Sequence, residues 1–374
     1  MTKRLNLYKV HMPSDVAAQL SETLHSGQIA QGPKNAEFEK RLAEFFGNDN
    51  LATTNAGTSA LTLALKCAGV GHGDQVISTP MTCVATNTPI LNVGADIVWA
   101  DVDPRTGNIS PRDIRNKMSR NIKAIMYVHL GGQPAEIDEI KDIAFEWNVP
   151  IIEDAAHAMG AKYEHMLIGN HSDYVCFSFQ AIKYLTTGDG GLVLTNGHRA
   201  RERIEQIRRM RWFGLDRNSY RSSTKWEADI DVAGYKMHMN DIAATIGLCQ
   251  MNYLSDIIRK HIDNGLYLDE ALKQVDGIQM IRRRPYTKAS YWFYTLLLNT
   301  EKQREKFAKH MDAHGIDTNV SHIRNDIYSI FQKYKTALPN LDDFASRMIN
   351  IPCGWWLDQG DIEYMVKTIR EGWL

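Results

Sequence analysis

Short apolar runs alternate with helical patterns from about residue 50 to residue 155. The segment Gln75-Val76-Ile77-Ser78, entered through the turn Gly73-Asp74, predicts a strand. Residues 97–100, 124–128 and 149–152 read the same way. Between them, Ala60, Leu61, Leu63, Ala64, Leu65 and Ala68 form an apolar stripe that follows Asn55-Ala56-Gly57-Thr58-Ser59. Small hydroxylated residues at that position suit a helix start. A second amphipathic helix is predicted over 136–147. Two more strands, 174–179 and 191–195, flank the turn-rich Thr186-Thr187-Gly188-Asp189-Gly190-Gly191, and a basic helix covers 199–211. Beyond it lie a long helix, 241–274, and an aromatic strand, 291–297.

Strands that alternate with helices predict an α/β fold, a mostly parallel sheet covered on both faces. Residues 1–250 are expected to form this large domain and 251–374 a smaller C-terminal α/β domain. Ligands of such sheets sit beyond the carboxyl ends of the strands. Functional residues are therefore sought just after each strand.

Composition narrows the class without naming a reaction. The 374 residues carry 43 Lys plus Arg against 44 Asp plus Glu, which argues against a nucleic-acid or other polyanion binder. No run approaches the roughly 20 apolar residues of a membrane span, and the opening MTKRLNLYKV lacks the apolar stretch of a secretory signal. The five cysteines are dispersed without a CxxC pair, so neither a disulfide framework nor a cysteine-rich zinc site is expected. That usage suits a reducing cytoplasm.

Three features fall after predicted strands. Gly57-Thr58-Ser59 opens a helix, where unpaired N–H groups and the helix dipole favour a phosphate, although the same residues serve as an ordinary cap. Glu153-Asp154-Ala155-Ala156-His157 follows a buried strand, and Asp154 there either pairs with a protonated ring nitrogen or caps a helix. Lys183 lies between the strand Phe177-Ser178-Phe179 and the glycine-rich turn. Burial there would lower its amine pKa and make it a nucleophile toward an aldehyde. A phosphate cradle, a carboxylate for a pyridinium and a Schiff-base lysine are the three handles of pyridoxal phosphate.

On these residues the chain resembles the DegT/DnrJ/StrS sugar aminotransferases, fold-type-I pyridoxal-phosphate enzymes. The resemblance runs from Gly27-Gln28-Ile29-Ala30-Gln31-Gly32-Pro33 through Val128-His129-Leu130-Gly131-Gly132-Gln133 to Ala243-Ala244-Thr245-Ile246-Gly247-Leu248. It implies roles by position. Lys183 joins the cofactor aldehyde and later moves protons, Asp154 pairs with the pyridine nitrogen, and His157 lies near the ring hydroxyl. Gly57, Thr58, Ser59 and Ser178 fall at phosphate-contacting positions. The segment Gly234-Tyr235-Lys236-Met237-His238-Met239-Asn240 matches a loop that reaches the neighbouring subunit's cofactor, with Lys236 and His238 where relatives often carry Asn or Arg. A homodimer with shared active sites follows from that match. Cys83 stands where the family usually offers a stacking aromatic ring. The family branch that deoxygenates sugars has histidine in place of the lysine, and Lys183 argues against it.

The resemblance further implies an amino-acid donor, glutamate, and a nucleotide-linked keto sugar as acceptor. Likeness to perosamine-synthase-type enzymes favours a 4-keto-6-deoxy hexose; a 3-keto sugar is the alternative. Arg217 is a candidate for a diphosphate, and His322, Arg324 and Asn325 for the substrate entrance. A non-catalytic cofactor-binding regulator is disfavoured by intact Lys183, Asp154 and His157. A nucleotide-binding oxidoreductase is disfavoured because no GxGxxG follows the first strand. His72, His165 and His171 read as solvated loop histidines without metal-ligand spacing, the arginines of 199–211 as a salt-bridged face, and Trp355-Trp356 as small-domain core. No metal is expected.

Overall fold

The computed structural model describes residues 4–216 and 229–373. Two helices, α1 (Val16–His25) and α2 (Pro33–Phe46), precede β1 (Leu51–Thr54). There follow α3 (Gly57–Cys67), β2 (Gln75–Ser78), α4 (Val84–Asn92), β3 (Asp96–Trp99), α5 (Pro111–Lys117), β4 (Ile122–Val128), α6 (Ile137–Trp147) and β5 (Ile151–Asp154). A short hairpin, β6 (Lys162–Tyr163) and β7 (Met166–Leu167), leads to β8 (Tyr174–Ser178), β9 (Gly191–Thr195) and α7 (Ala200–Met210).

Among the described residues the main sheet has seven strands in the order β1-β9-β8-β5-β4-β2-β3. β9 runs antiparallel to both its neighbours, and the pairs from β8 to β3 are all parallel. Apart from the edge strand β3, which alternates, the strands are buried along most of their length on both faces and read as continuous apolar runs. Helix α6 shows the complementary pattern: Ile137, Ile140, Ile143 and Ala144 are buried, each isoleucine contributing about 1.5–3 kcal/mol relative to exposure.

The rest of the fold departs from expectation in several places. The predicted helix over 241–274 is two helices, α8 (Asp241–Met251) and α9 (Leu254–Ala271), interrupted at Asn252-Tyr253. A three-stranded antiparallel sheet, β10 (Ile278–Met280), β12 (Tyr294–Leu298) and β13 (Met348–Ile351), backs the smaller core with α10 (Glu301–Ala313) and α12 (Gln359–Arg370). The two-residue β11 (Thr287–Lys288) instead joins β6. Leu5 bridges to Ile316 and belongs to that smaller core, whereas Tyr8 packs against the larger one. Conversely, Phe331 and, on α11 (Pro339–Arg347), Leu341 and Phe344 pack into the larger core. Trp355 and Trp356 are only partly buried, one against each core.

A further departure is the aromatic strand. It begins at Tyr294, because Tyr291 has left-handed backbone (φ 55°) and residues 290–292 bond instead to the turn at Gly131-Gly132. Trp292 is thereby released from the small sheet.

Candidate active site

The carboxyl ends of the central parallel strands converge. In register, Asp154 at the end of β5 lies opposite Val128 of β4 and Cys176 of β8, with Ser178 two residues further along β8. The chain then folds back: Phe179 donates its N–H to Gly190 O, Thr187 donates to Phe179 O, and Lys183 donates to Gln180 O. This places the lysine over the strand ends. A cavity of about 230 Å³ opens there, lined among others by Gly57, Thr58, Cys83, Asp154, His157, Ser178, Lys183, Trp292 and His322.

Several site residues sit where the sequence placed them. Helix α3 begins without a side-chain cap, so its first N–H groups face the cavity wall unspent. Gly57 packs against β8 so closely that a Cβ would lie 2.9 Å from Ser178 Cβ. Asp154 is 5% exposed. One of its oxygens accepts the Thr86 hydroxyl at 2.6 Å and the other the Ala156 N–H at 3.0 Å, which fixes the carboxylate and leaves lone pairs for a further donor.

Lys183 lines the cavity, and its amine is surrounded by protein. Burial lowers its pKa from 10.5 to about 8, against the pull of Asp154 and Cys83, which favour the charged form. His157, 1% exposed, is held well below the usual histidine range by burial and by nearby Lys183. Its ring stacks on Trp292 at 3.9 Å between centroids, and its Nε2 lies 3.2 Å from Nε2 of His322.

Beneath the site, Glu153 is fully buried. Its burial alone would raise the carboxyl pKa, but bonds from His129 (3.0 Å) and Ser172 outweigh that and hold it below the usual value. His171, expected in solvent, is buried with its ring edge-on to Tyr163, and its charge is a minor further influence that lowers the Glu153 pKa.

Other candidates stand apart from the cavity. Ser59 is absent from the lining and donates to Asn55 Oδ1. Lys236 lies with its ammonium 3.6 Å from the Trp212 ring centroid, and His238 packs edge-on against the same indole. Asn325 is a buried strut bonded to Asn87 and Thr82 O, and Arg324 pairs with Asp326 and Asp342. Arg217 lies outside the described residues. Thr86 and Trp292 were not singled out from sequence. Thr86 carried no signal, and Trp292 was hidden inside an apparent strand.

These residues fit pyridoxal phosphate. The uncapped helix start and glycine cradle suit its phosphate, the fixed Asp154 carboxylate its ring nitrogen, and the Lys183 amine its aldehyde. Among the described residues no group of three His, Cys, Asp or Glu side chains is arranged to hold a metal ion.

A parallel sheet with these handles at its carboxyl edge defines a fold-type-I pyridoxal-phosphate-dependent aminotransferase. The chain belongs to the DegT/DnrJ/EryC1/StrS aminotransferase family, whose profile matches residues 11–370. It is 32% identical over 364 residues to the spore coat polysaccharide biosynthesis protein SpsC of Bacillus subtilis, covering 94% of this chain and 93% of that one. It is 29% identical over 371 residues to GDP-perosamine synthase of Escherichia coli O157:H7, covering 99% and 98%. The sugar aminotransferase CalS13 from Micromonospora echinospora superposes with a TM-score of 0.93 at 34% identity, covering 99% of this chain and 100% of that one.

Proposed function

We propose that the protein transfers an amino group from an amino acid, glutamate, to a nucleotide-linked keto sugar, a 4-keto-6-deoxy hexose. The observation that carries this reading is the Lys183 amine, depressed to about 8, in one cavity with the fixed Asp154 carboxylate and the uncapped start of α3. The names of relatives that make GDP-perosamine and spore coat polysaccharide support the sugar nucleotide.

When bound, pyridoxal phosphate supplies an aldehyde that exchanges amines and a ring that draws electrons from the substrate carbon. The chain's residues do the rest. Asp154 holds the proton at the ring nitrogen through Oδ1 or Oδ2, oriented by Thr86 and Ala156. Lys183 Nζ, close to half-deprotonated just above neutrality, takes the proton from the donor's carbon and later delivers one to the sugar carbon. Gly57, Thr58 and Ser178 hold the phosphate. The loop carrying Lys236 and His238 does not line this protomer's cavity, which supports its donation to the neighbour of a homodimer. Free cysteines and the absence, among the described residues, of a helix long and apolar enough to cross a membrane accord with a cytoplasmic enzyme.

Loading with pyridoxal phosphate followed by borohydride should leave the cofactor on the Lys183 peptide. A Lys183→Ala protein that transaminates at the wild-type rate would refute the mechanism. Single-turnover reaction of the pyridoxamine form with a panel of nucleotide keto sugars tests the acceptor, and amine transfer confined to 3-keto sugars would overturn the 4-keto assignment.

A further inference from the structure

We propose that Trp292 is a positioning residue that holds the Lys183 ammonium while the cofactor, in its amine form, leaves that lysine free; this rests on the pyridoxal-phosphate reading above. The Lys183 Nζ lies 3.6 Å from the Trp292 ring centroid. Among the described residues no carboxylate is within ion-pair distance of it. An aromatic face attracts the charged amine and not the neutral one, and does so more strongly in a desolvated site.

The indole is fixed from several sides. Its N–H donates to Ile182 O at 3.1 Å, tying it to the residue before the lysine. It stacks on His157 at 3.9 Å and on Tyr8 at 5.0 Å. The preceding Tyr291 is clamped in turn: its hydroxyl donates to Asp269 at 2.6 Å and Arg283 lies over its ring. Gly265 leaves the room that this ring needs, since a Cβ there would lie 2.2 Å from it. Such a platform cannot rotate away when the lysine departs, so it defines one waiting position for the amine.

The other ionisable groups around the amine are Asp154 from β5, His157 just beyond it, Cys83 before α4, Cys176 on β8, whose thiol burial keeps neutral, Asp189 on the glycine-rich turn, and His322 from the C-terminal loop. Both histidines are kept neutral by burial and by Lys183 itself. The lysine is therefore the cation that the indole meets near neutrality.

The test uses enzyme loaded with pyridoxamine phosphate, in which Lys183 is free. Competitive acetylation, read on the Lys183 peptide across pH, gives its titration midpoint. Trp292→Leu should lower that midpoint by about one pH unit, whereas Trp292→Phe, which keeps an aromatic face, should stay within a few tenths. An unchanged midpoint in Trp292→Leu would overturn the proposal. An equal drop in both variants would overturn it too, because Phe lacks the indole N–H and the effect would then run through Ile182. Should Trp292→Leu unfold, a crystal structure of the wild-type pyridoxamine form decides: Nζ beyond about 6 Å from the ring centroid refutes the role. Borohydride trapping on Lys183 in the aldehyde form of each variant shows separately whether the cofactor reading holds.

Discussion

His157 and His322 face each other Nε2 to Nε2 at 3.2 Å, and only one proton fits between them. The Gly131 N–H points at His157 Nδ1 from 3.4 Å, so the hydrogen-bond pattern assigns the shared proton to His157 Nε2 and makes His322 the acceptor. Two neutral rings thus border the lysine amine, which leaves Nζ as the cation of that group near neutrality.

This pair makes stability depend on acidity. Burial lowers the pKa of His322 to about 3 and that of His157 well below 6.5. Unfolded histidines take up protons near 6.5 while the folded ones refuse them, so stability is present above that pH and lost as pH falls below it. Each ring should contribute a slope of about 1.4 kcal/mol per pH unit in that window. Urea unfolding of His322→Asn at a series of pH values should give a slope shallower by about one proton; identical slopes would contradict the assignment.

Asp154→Asn keeps the shape of the floor of the site but removes its negative charge. The bond from Thr86 then meets a neutral amide, and the ring nitrogen loses its anionic partner. Turnover should fall roughly a hundredfold or more, as for loss of one preorganised electrostatic contact. Steady-state kinetics with cofactor in excess checks this, with near wild-type turnover as the contrary result.

Gly57→Ala should weaken the cofactor more than the fold. The new methyl meets Ser178 Cβ at 2.9 Å and its Cα at 3.2 Å, and strand backbone cannot retreat as a flexible side chain would. Displacing the start of α3 spoils its alignment on a phosphate. The dissociation constant for pyridoxal phosphate, read by absorbance titration, should rise roughly tenfold to a hundredfold, equivalent to about 1.4–2.7 kcal/mol.

Glu153→Ala tests the layer under the site. It strands the Nε2–H of His129, whose Nδ1 already accepts the Ala135 N–H, and the hydroxyl of Ser172. Buried donors without acceptors cost about 2–4 kcal/mol in total. Calorimetry should show a melting temperature lower by roughly 5 °C. An unchanged value would mean that water replaces the carboxylate.

Much of the large domain was legible because its strands are short apolar runs punctuated by glycine, proline and acidic residues. The strand at Gln75–Ser78 was read to the residue, and Asp154 and Lys183, singled out because chemistry at a parallel sheet collects after its strands, line one cavity. The long helix over 241–274 misled because Asn252 and Tyr253 carry no strong stop signal. His171 was placed in solvent because a loop histidine shows no sign, in one dimension, of the Tyr163 ring packed against it.

The local pattern alone determined the alternation of strand and helix, the small-residue helix start at Gly57 and the candidate residues Asp154 and Lys183 after their strands. All of these depend on near neighbours in the chain. The tertiary structure decided what surrounds the amine. Trp292 meets Ile182 across 110 residues and His322 meets His157 across 165. Such contacts arise only when the C-terminal part of the chain packs over the sheet edge, and no spacing or propensity encodes them. The left-handed backbone at Tyr291 is the clearest case: the sequence there reads as strand, and packing against the Gly131-Gly132 turn overrides it to deliver the indole to the lysine.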